Sequence, residues 1–343
     1  MRKEDNAYMD KEISDYDKYN YDYEKYWQDS DVKRDYEDLS ERVVIKKLIK
    51  KVKTRNWFCD LGAGFGRLFD TYSDSFFNII LVDYSIENLK KAQDKIQLLY
   101  PNHNDPDNPN NLNNPQASLD QAKLDKNPNV FFVAANIYHL PFKPAVLDCL
   151  LSVRMMHHME DTTSVIKEIS RVIKPKGKLI LEYANKRHFL EVVKAILKKS
   201  KMSPFTLEPK KRGDDLFYNF HPKYIKNQLR ASGFWHLKIT SVSNLRHKVF
   251  KKMLGTKIML FIDKVFQPIF SLVKFGPSIF VLAEKKQKAA SDILVTQYQG
   301  IPDILICPKC LSDDFMILKH ELRCKRCEKV YPIVDGVYDF RVE

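Results

Sequence analysis

The chain has 343 residues, 44% hydrophobic and 29% charged, with a net charge of +13. That length and apolar content suit two packed units, or one large domain with additions, and exclude a chain that is disordered throughout. Six cysteines, four of them in the last forty residues, exclude a secreted disulfide framework, and Cys59 and Cys149 read as reduced core residues. No signal-peptide h-region follows Met1, which predicts a cytoplasmic protein. The most apolar window, 258–283, is broken by Asp263, Lys264 and Lys274, so a buried helix and strand are expected there rather than a membrane span.

Charge is unevenly spread. Residues 1–40 carry 7 basic and 13 acidic side chains, whereas 223–258 carry 9 basic and none acidic. Segment 186–212 adds 9 basic against 2 acidic. Such asymmetry suits an anionic partner (nucleic acid, a phosphorylated substrate or an acidic lipid surface), or else a solubilising surface near the acidic N-terminus.

Residues 1–38 form an acidic, tyrosine-rich segment expected to cap the sheet with short helices. An amphipathic helix is predicted over 39–53, with Leu39, Val43, Val44, Lys47 and Leu48 on one stripe. The apolar run Trp57-Phe58-Cys59 then ends in Asp60, followed by Gly62, Ala63, Gly64 and Gly66. Glycine is cheap where the backbone needs positive φ, and it lets main-chain N–H groups approach a ligand. The dinucleotide fingerprint G-x-G-x-x-G would need glycine at position 67, where Arg67 stands. After a predicted helix 67–76 comes a second strand, 78–83, ending in Asp83, about 20 residues past the glycines, where a carboxylate can accept ribose hydroxyls. Asp83 also fits as the N-cap of a helix 85–99. Segment 101–128, rich in Asn, Pro and Asp, is expected to be a disordered insertion. A third strand, 129–137, a fourth strand with its exit loop over 147–159, and a helix, 161–173, follow. Gly177 is expected to supply the positive φ of the turn before strand 178–183. A basic helix-like insertion covers 187–202, and helix 222–232 ends at Gly233. Strands 234–242 and 278–283 flank a long basic segment.

Asp60 with its alternate glycines resembles motif I of the class I S-adenosylmethionine-dependent methyltransferases. The run 57–183 resembles that family in five successive motifs. Pro141-Phe142 after Leu140, and His157-His158 past the fourth strand, are similar to the ubiquinone-biosynthesis type. The resemblance implies an α/β fold: a doubly wound, seven-stranded Rossmann-like sheet over 39–285, with the last strand antiparallel. It also implies that S-adenosylmethionine is held by Asp60, Gly62, Ala63, Gly64, Gly66, Asp83, Tyr84, Asn136, Ile137 and Ser152. His157 and His158 are the candidates for a base, since imidazole takes a proton near neutral pH. Tyr183, His221 and Arg154 are weaker candidates for an acceptor pocket, and Arg67 for pairing with an acid or covering the cofactor.

Residues 286–300 read as a linker to a further unit, 301–343. There Cys307-x-x-Cys310 and Cys324-x-x-Cys327 can present four thiolates to one structural Zn²⁺. The unit resembles the small zinc-ribbon proteins that activate certain methyltransferases as separate subunits, which implies a β-rich ribbon able to engage a protein partner. Its independent unfolding on metal removal is expected. The combined expectation is methyl transfer to an O, N or C atom of a small-molecule or lipid-like acceptor, with RNA second. A non-catalytic scaffold is the outsider.

Overall fold

The computed structural model describes residues 23–28, 34–100, 128–200, 203–211, 217–287, 298 and 300–341. Most of the acidic cap, nearly all of the 101–128 insertion and most of the 286–300 linker lie outside those residues.

The core is a parallel sheet built on β1 (Trp57–Leu61), β2 (Asn78–Asp83), β3 (Asn129–Ala134), β4 (Leu147–Ser152) and β5 (Ile173–Ala184). β6 (Lys210–Lys211) and β7 (Tyr218–Asn219) pair apart from it, while β8 (Phe234–Val242) and β9 (Ser278–Lys285) complete it in the order β3-β2-β1-β4-β5-β9-β8, with β9 antiparallel to both neighbours. This is the expected seven-stranded, Rossmann-like arrangement. β1 and β2 are apolar almost throughout because both of their faces are covered. Their residues alternate between two cores: Trp57, Cys59, Leu61, Ile80 and Val82 face one way, Phe58, Ile79 and Leu81 the other. The first core is closed by α4 (Thr162–Val172) and α6 (Pro222–Ala231), the second by α2 (Asp35–Ile49) and α3 (Ile86–Leu99). The Asp161 carboxylate caps α4 by accepting from Ser164 N at 3.0 Å, and Ser85 caps α3 likewise through Asn88 N. The cap of α3 is therefore Ser85, and Asp83 serves elsewhere.

Several expectations are corrected. Segment 67–76 is not an α-helix but two short 3₁₀ turns, Phe69–Thr71 and Ser73–Ser75. Thr71 Oγ1 donates to Leu68 O at 2.6 Å, a local bond of the kind that competes with helix. Gly177 does not take positive φ; Lys176 does, at 65°. Glycine is required at 177 for space, since a Cβ would stand 2.7 Å from Ile173 Cγ2 and 2.8 Å from Lys174 O. α2 begins at Asp35 and buries only part of the predicted stripe, Val44 and Leu48. Leu39 and Val43 are exposed, while Glu37, Ser40 and Glu41 are buried beside Val44, Ile45 and Leu48. The third strand stops at Ala134, leaving Asn136 and Ile137 in its exit loop. Within the basic insertions lie α5 (Phe189–Ile196) and α7 (Lys248–Val273), the latter interrupted at Gly255 and carrying Pro268. The expected buried helix in 258–283 is a surface helix, with Phe261 and Leu272 among its exposed residues. No helix among the described residues is long and apolar enough to cross a membrane.

Beyond the linker, α8 (Ile301–Ile304) leads into a meander of β10 (Phe315–Ile317), β11 (Glu321–Cys324), β12 (Val330–Val334) and β13 (Val337–Asp339). β13 lies parallel to β3, pairing Val337 with Phe132 and Asp339 with Ala134, so one sheet runs on into the ribbon. Ile304, Leu305, Cys307, Tyr331 and Phe340 join the core that holds Trp57 and Leu150.

Candidate active site

The turn after β1 folds back onto β2, with Gly62 N and Ala63 N both donating to Val82 O at 2.8 and 3.0 Å. Gly62, Gly64 and Gly66 all have positive φ, as the alternate spacing predicts. A Cβ on Gly62 would also stand 2.9 Å from Met155, so the loop after β4 can approach only because glycine is there. The Asp83 carboxylate ties this turn to the start of α3: Gly64 N donates to its Oδ2 at 2.8 Å and Ser85 N to its Oδ1 at 3.0 Å.

Between these loops lies an open-sided cleft at the carboxyl ends of β1–β4. Of the predicted residues, it is lined by Gly62, Gly64, Asp83, Tyr84, Ile137 and His158. Sequence reasoning missed its apolar contributors Leu61, Val82, Met155 and Met159, which carry no motif. Asn136 is turned to its own loop, where its Oδ1 accepts from Tyr138 N at 2.9 Å. Ser152 is fully buried, and its Oγ has no hydrogen-bond partner among the described residues. Gly66 sits against Ala92 of α3, and Ala63 is buried in the turn.

Asp60 lies beneath the loop, buried, and accepts the Tyr72 hydroxyl proton at 2.5 Å. Burial pushes its carboxyl up to about 7, against the opposing pull of the Tyr72 bond and the Arg67 charge. An acid whose folded pKa is raised contributes stability below its unfolded pKa, and that contribution is lost as pH rises through the folded value. Between pH 4 and 7 the wild type should therefore lose roughly 3–4 kcal/mol relative to Asp60→Asn, read from denaturant midpoints across that range. Parallel midpoints for the two proteins would show that Asp60 stays ionised.

The two histidines part company. His158 lines the cleft, whereas His157 is buried below it, its ring 4.2 Å from that of His158 and 4.3 Å from that of Phe217. Burial pushes the His157 pKa well below the ordinary histidine value, helped by the His158 and Arg154 charges, so its imidazole is neutral at pH 7. Of the weaker candidates, only Arg154 is in the cleft wall. Tyr183 is wholly buried, and His221 Nδ1 caps α6 by accepting from Lys223 N.

An ion cluster not foreseen as such closes one side. Glu41, fully buried on α2, accepts from Arg67 Nη2 at 2.6 Å and from Arg154 Nε at 2.9 Å. Arg67 also pairs with Asp38. The ring of Trp27, on α1 (Tyr23–Gln28), lies 3.7 Å from the Arg67 guanidinium carbon and 4.6 Å from that of Arg154. Arg67 thus pairs with acids, one of its two predicted roles.

In the ribbon, the sulfurs of Cys307, Cys310, Cys324 and Cys327 all lie within 4.8 Å of one another. The Tyr331 hydroxyl is 3.1 Å from Cys307 Sγ. The ribbon reaches the cleft: Arg341 Nη1 donates to Tyr84 O at 3.3 Å, and Phe340 N to Ala134 O at 2.7 Å.

Residues 109–181, which include β3, β4 and α4, match the family model described as a methyltransferase domain. Over 144 residues the chain is 29% identical to an uncharacterized protein of Methanocaldococcus jannaschii, covering 41% of this chain and 48% of that one. Among solved structures, it is similar to an S-adenosylmethionine-dependent methyltransferase of Listeria monocytogenes, with TM-score 0.47, 14% identity, and coverage of 73% of this chain and 99% of that chain. It is also similar to phosphoethanolamine N-methyltransferase 2 of Haemonchus contortus, with TM-score 0.43, 15% identity, and coverage of 72% and 52%. The chain thus spans about half the length of both the curated relative and the Haemonchus enzyme. The match to the methyltransferase-domain model begins downstream of the glycine loop and Asp83, so that half of the cleft rests on its own geometry.

Proposed function

We propose that the protein transfers a methyl group from S-adenosylmethionine to a small-molecule or lipid-like acceptor. The observation that carries this reading is the Asp83 carboxylate in the cleft wall, bonded to the glycine loop that lines the same cleft at Gly62 and Gly64. The residues present fit the cofactor. The Asp83 carboxylate, anchored by bonds from Gly64 N and Ser85 N and set in the cleft wall, is the acceptor proposed for the ribose hydroxyls. Val82 and Ile137 offer apolar cover for an adenine ring, and Gly62 and Gly64 line the cleft along the loop. When bound, the cofactor supplies an electrophilic methyl on a sulfonium.

The chain's own residues then have three tasks. The loops orient the two reactants, which supplies much of the acceleration in a displacement of this kind. Met155 and Met159 exclude water from the cleft. His158, the histidine in the wall, accepts the acceptor's proton where the nucleophile carries one. In the ribbon, the four cysteines are proposed to hold one structural Zn²⁺, since four thiolates complete a tetrahedral shell.

The test is calorimetric titration of the purified protein with S-adenosylmethionine, with NAD⁺ in parallel. Binding of the sulfonium compound alone supports the reading, and binding of NAD⁺ alone overturns it. Asp83→Ala should weaken S-adenosylmethionine binding by about ten- to a hundredfold, because hydrogen bonds to a charged acceptor are lost. Unchanged affinity in that variant would remove Asp83 from the site.

A further inference from the structure

α7 wears its apolar side outward. Ile258, Phe261, Val265, Ile269 and Leu272 recur at spacings of three and four, so they share one face of the helix. That face points to solvent: Phe261 is 68% exposed and Leu272 77%. The opposite face carries buried Met259 and Asp263, and Asp263 accepts from the Tyr36 hydroxyl at 2.6 Å and from Asn244 Nδ2 at 2.9 Å. A surface helix of a self-contained globular protein shows the reverse arrangement. α5 extends the patch. It buries no residue, and Ile196, 70% exposed, stands beside exposed Leu197. The two helices are joined where Phe189 N donates to Phe275 O at 2.9 Å. Exposed apolar areas of this extent mark interaction sites.

Charge says what covers the patch. Lys252, Lys257 and Lys264 are exposed along α7, as are Lys194, Lys198 and Lys199 on and just past α5. The acids of these helices are engaged elsewhere: Asp263 points inward, and Glu191 pairs with Lys194 and Lys210. An apolar stripe with a lysine rim fits an anionic lipid surface. A second copy of this chain fits worse, because a two-fold contact would set the lysine rim against itself.

We propose that the α5–α7 face docks the protein on an anionic membrane, with α7 lying in the interfacial plane. The segment from Lys257 to Val273 would present an apolar ridge about 25 Å long. Topology sets the consequence. β8 ends at Val242 and β9 starts at Ser278, both in register with Ala184 at the end of β5. α7 therefore leaves and rejoins the sheet at the edge that bears the cleft. On the methyltransferase reading proposed above, a bilayer-dissolved acceptor reaches the cleft from this side; docking itself does not depend on that reading.

Co-sedimentation of the full chain with lipid vesicles tests it, with no cofactor present. The protein should pellet with phosphatidylcholine vesicles that contain phosphatidylglycerol, far less with phosphatidylcholine alone, and less again at high salt. Phe261→Ser with Leu272→Ser, at exposed positions, should reduce vesicle binding at least about tenfold. Lys257→Glu with Lys264→Glu should abolish the preference for anionic lipid. Equal pelleting of the wild type and the Phe261/Leu272 variant, or no pelleting with anionic vesicles, would overturn the proposal. So would a dimer in solution that the Phe261/Leu272 variant converts to monomer, since the patch would then be a self-contact.

Discussion

Glu41→Ala should destabilise the protein by about 3–5 kcal/mol, the range found when one partner of a buried ion pair is removed. Glu41 is completely buried and is the meeting point of two guanidinium groups, from the turn after Gly66 and from the loop after β4. Without it, Arg67 keeps Asp38, but Arg154 loses the Glu41 carboxylate while still close to the Trp27 ring. Burial alone would raise the Glu41 pKa. The Arg154 and Arg67 charges outweigh that effect and hold it below the usual carboxylate range. A carboxyl with a depressed folded pKa stabilises above its unfolded pKa, and this stability is lost as pH falls through the folded value. The wild type and Glu41→Ala should therefore differ most near neutral pH and converge in acid, read from denaturant midpoints. Glu41→Gln, which keeps acceptor capacity without charge, should fall between them. A Glu41→Ala midpoint within error of wild type at pH 7 would show that the cluster does not hold α2 to the two loops.

The sheet was legible because its strands are apolar runs closed by chemistry-bearing residues. Strand 234–242 appears with its predicted limits, β1 and β2 match the runs read from the chain, and β4 lies inside the 147–159 run. The glycine turn was legible for the same local reason, as positive φ at Gly62, Gly64 and Gly66 is what alternate glycines are for. Long-range contacts were not legible. Glu41 breaks the apolar stripe of its helix, and only the arrival of Arg67 and Arg154 from distant segments explains an acid there. His157 and His158 are adjacent in sequence, yet one lines the cleft and the other is buried under Phe217, a distinction set by tertiary packing alone. α7 misled for a third reason: apolar periodicity marks a face but not the medium that the face meets. The ribbon read as separate because the composition changes abruptly after the linker. Its strand pairing with β3 joins residues about two hundred positions apart, and no local signal announces that.

That pairing changes what metal removal should do. Structural zinc contributes an apparent binding free energy of about 10–16 kcal/mol in small zinc modules, more than the total stability of most domains. Cys310→Ser deletes one thiolate at a half-buried position, so it disturbs core packing less than a change at fully buried Cys307. If the ribbon were a free-standing unit, its loss would leave the rest of the chain unfolding as before. Instead Tyr331 and Phe340 pack in the core that holds Trp57 and Leu150, and β13 covers the open edge of β3. Cys310→Ser, or chelation of the wild type, should therefore lower the single unfolding transition of the whole chain and weaken ligand binding in the cleft. The second effect follows because Arg341 donates to the carbonyl of Tyr84 in the cleft wall, and Phe340 N to that of Ala134, next to Ala135 of the wall. Calorimetric melting with and without chelator, beside ligand titration, measures both. Two transitions, the later one unmoved by chelator, would show that the ribbon folds apart from the sheet it extends.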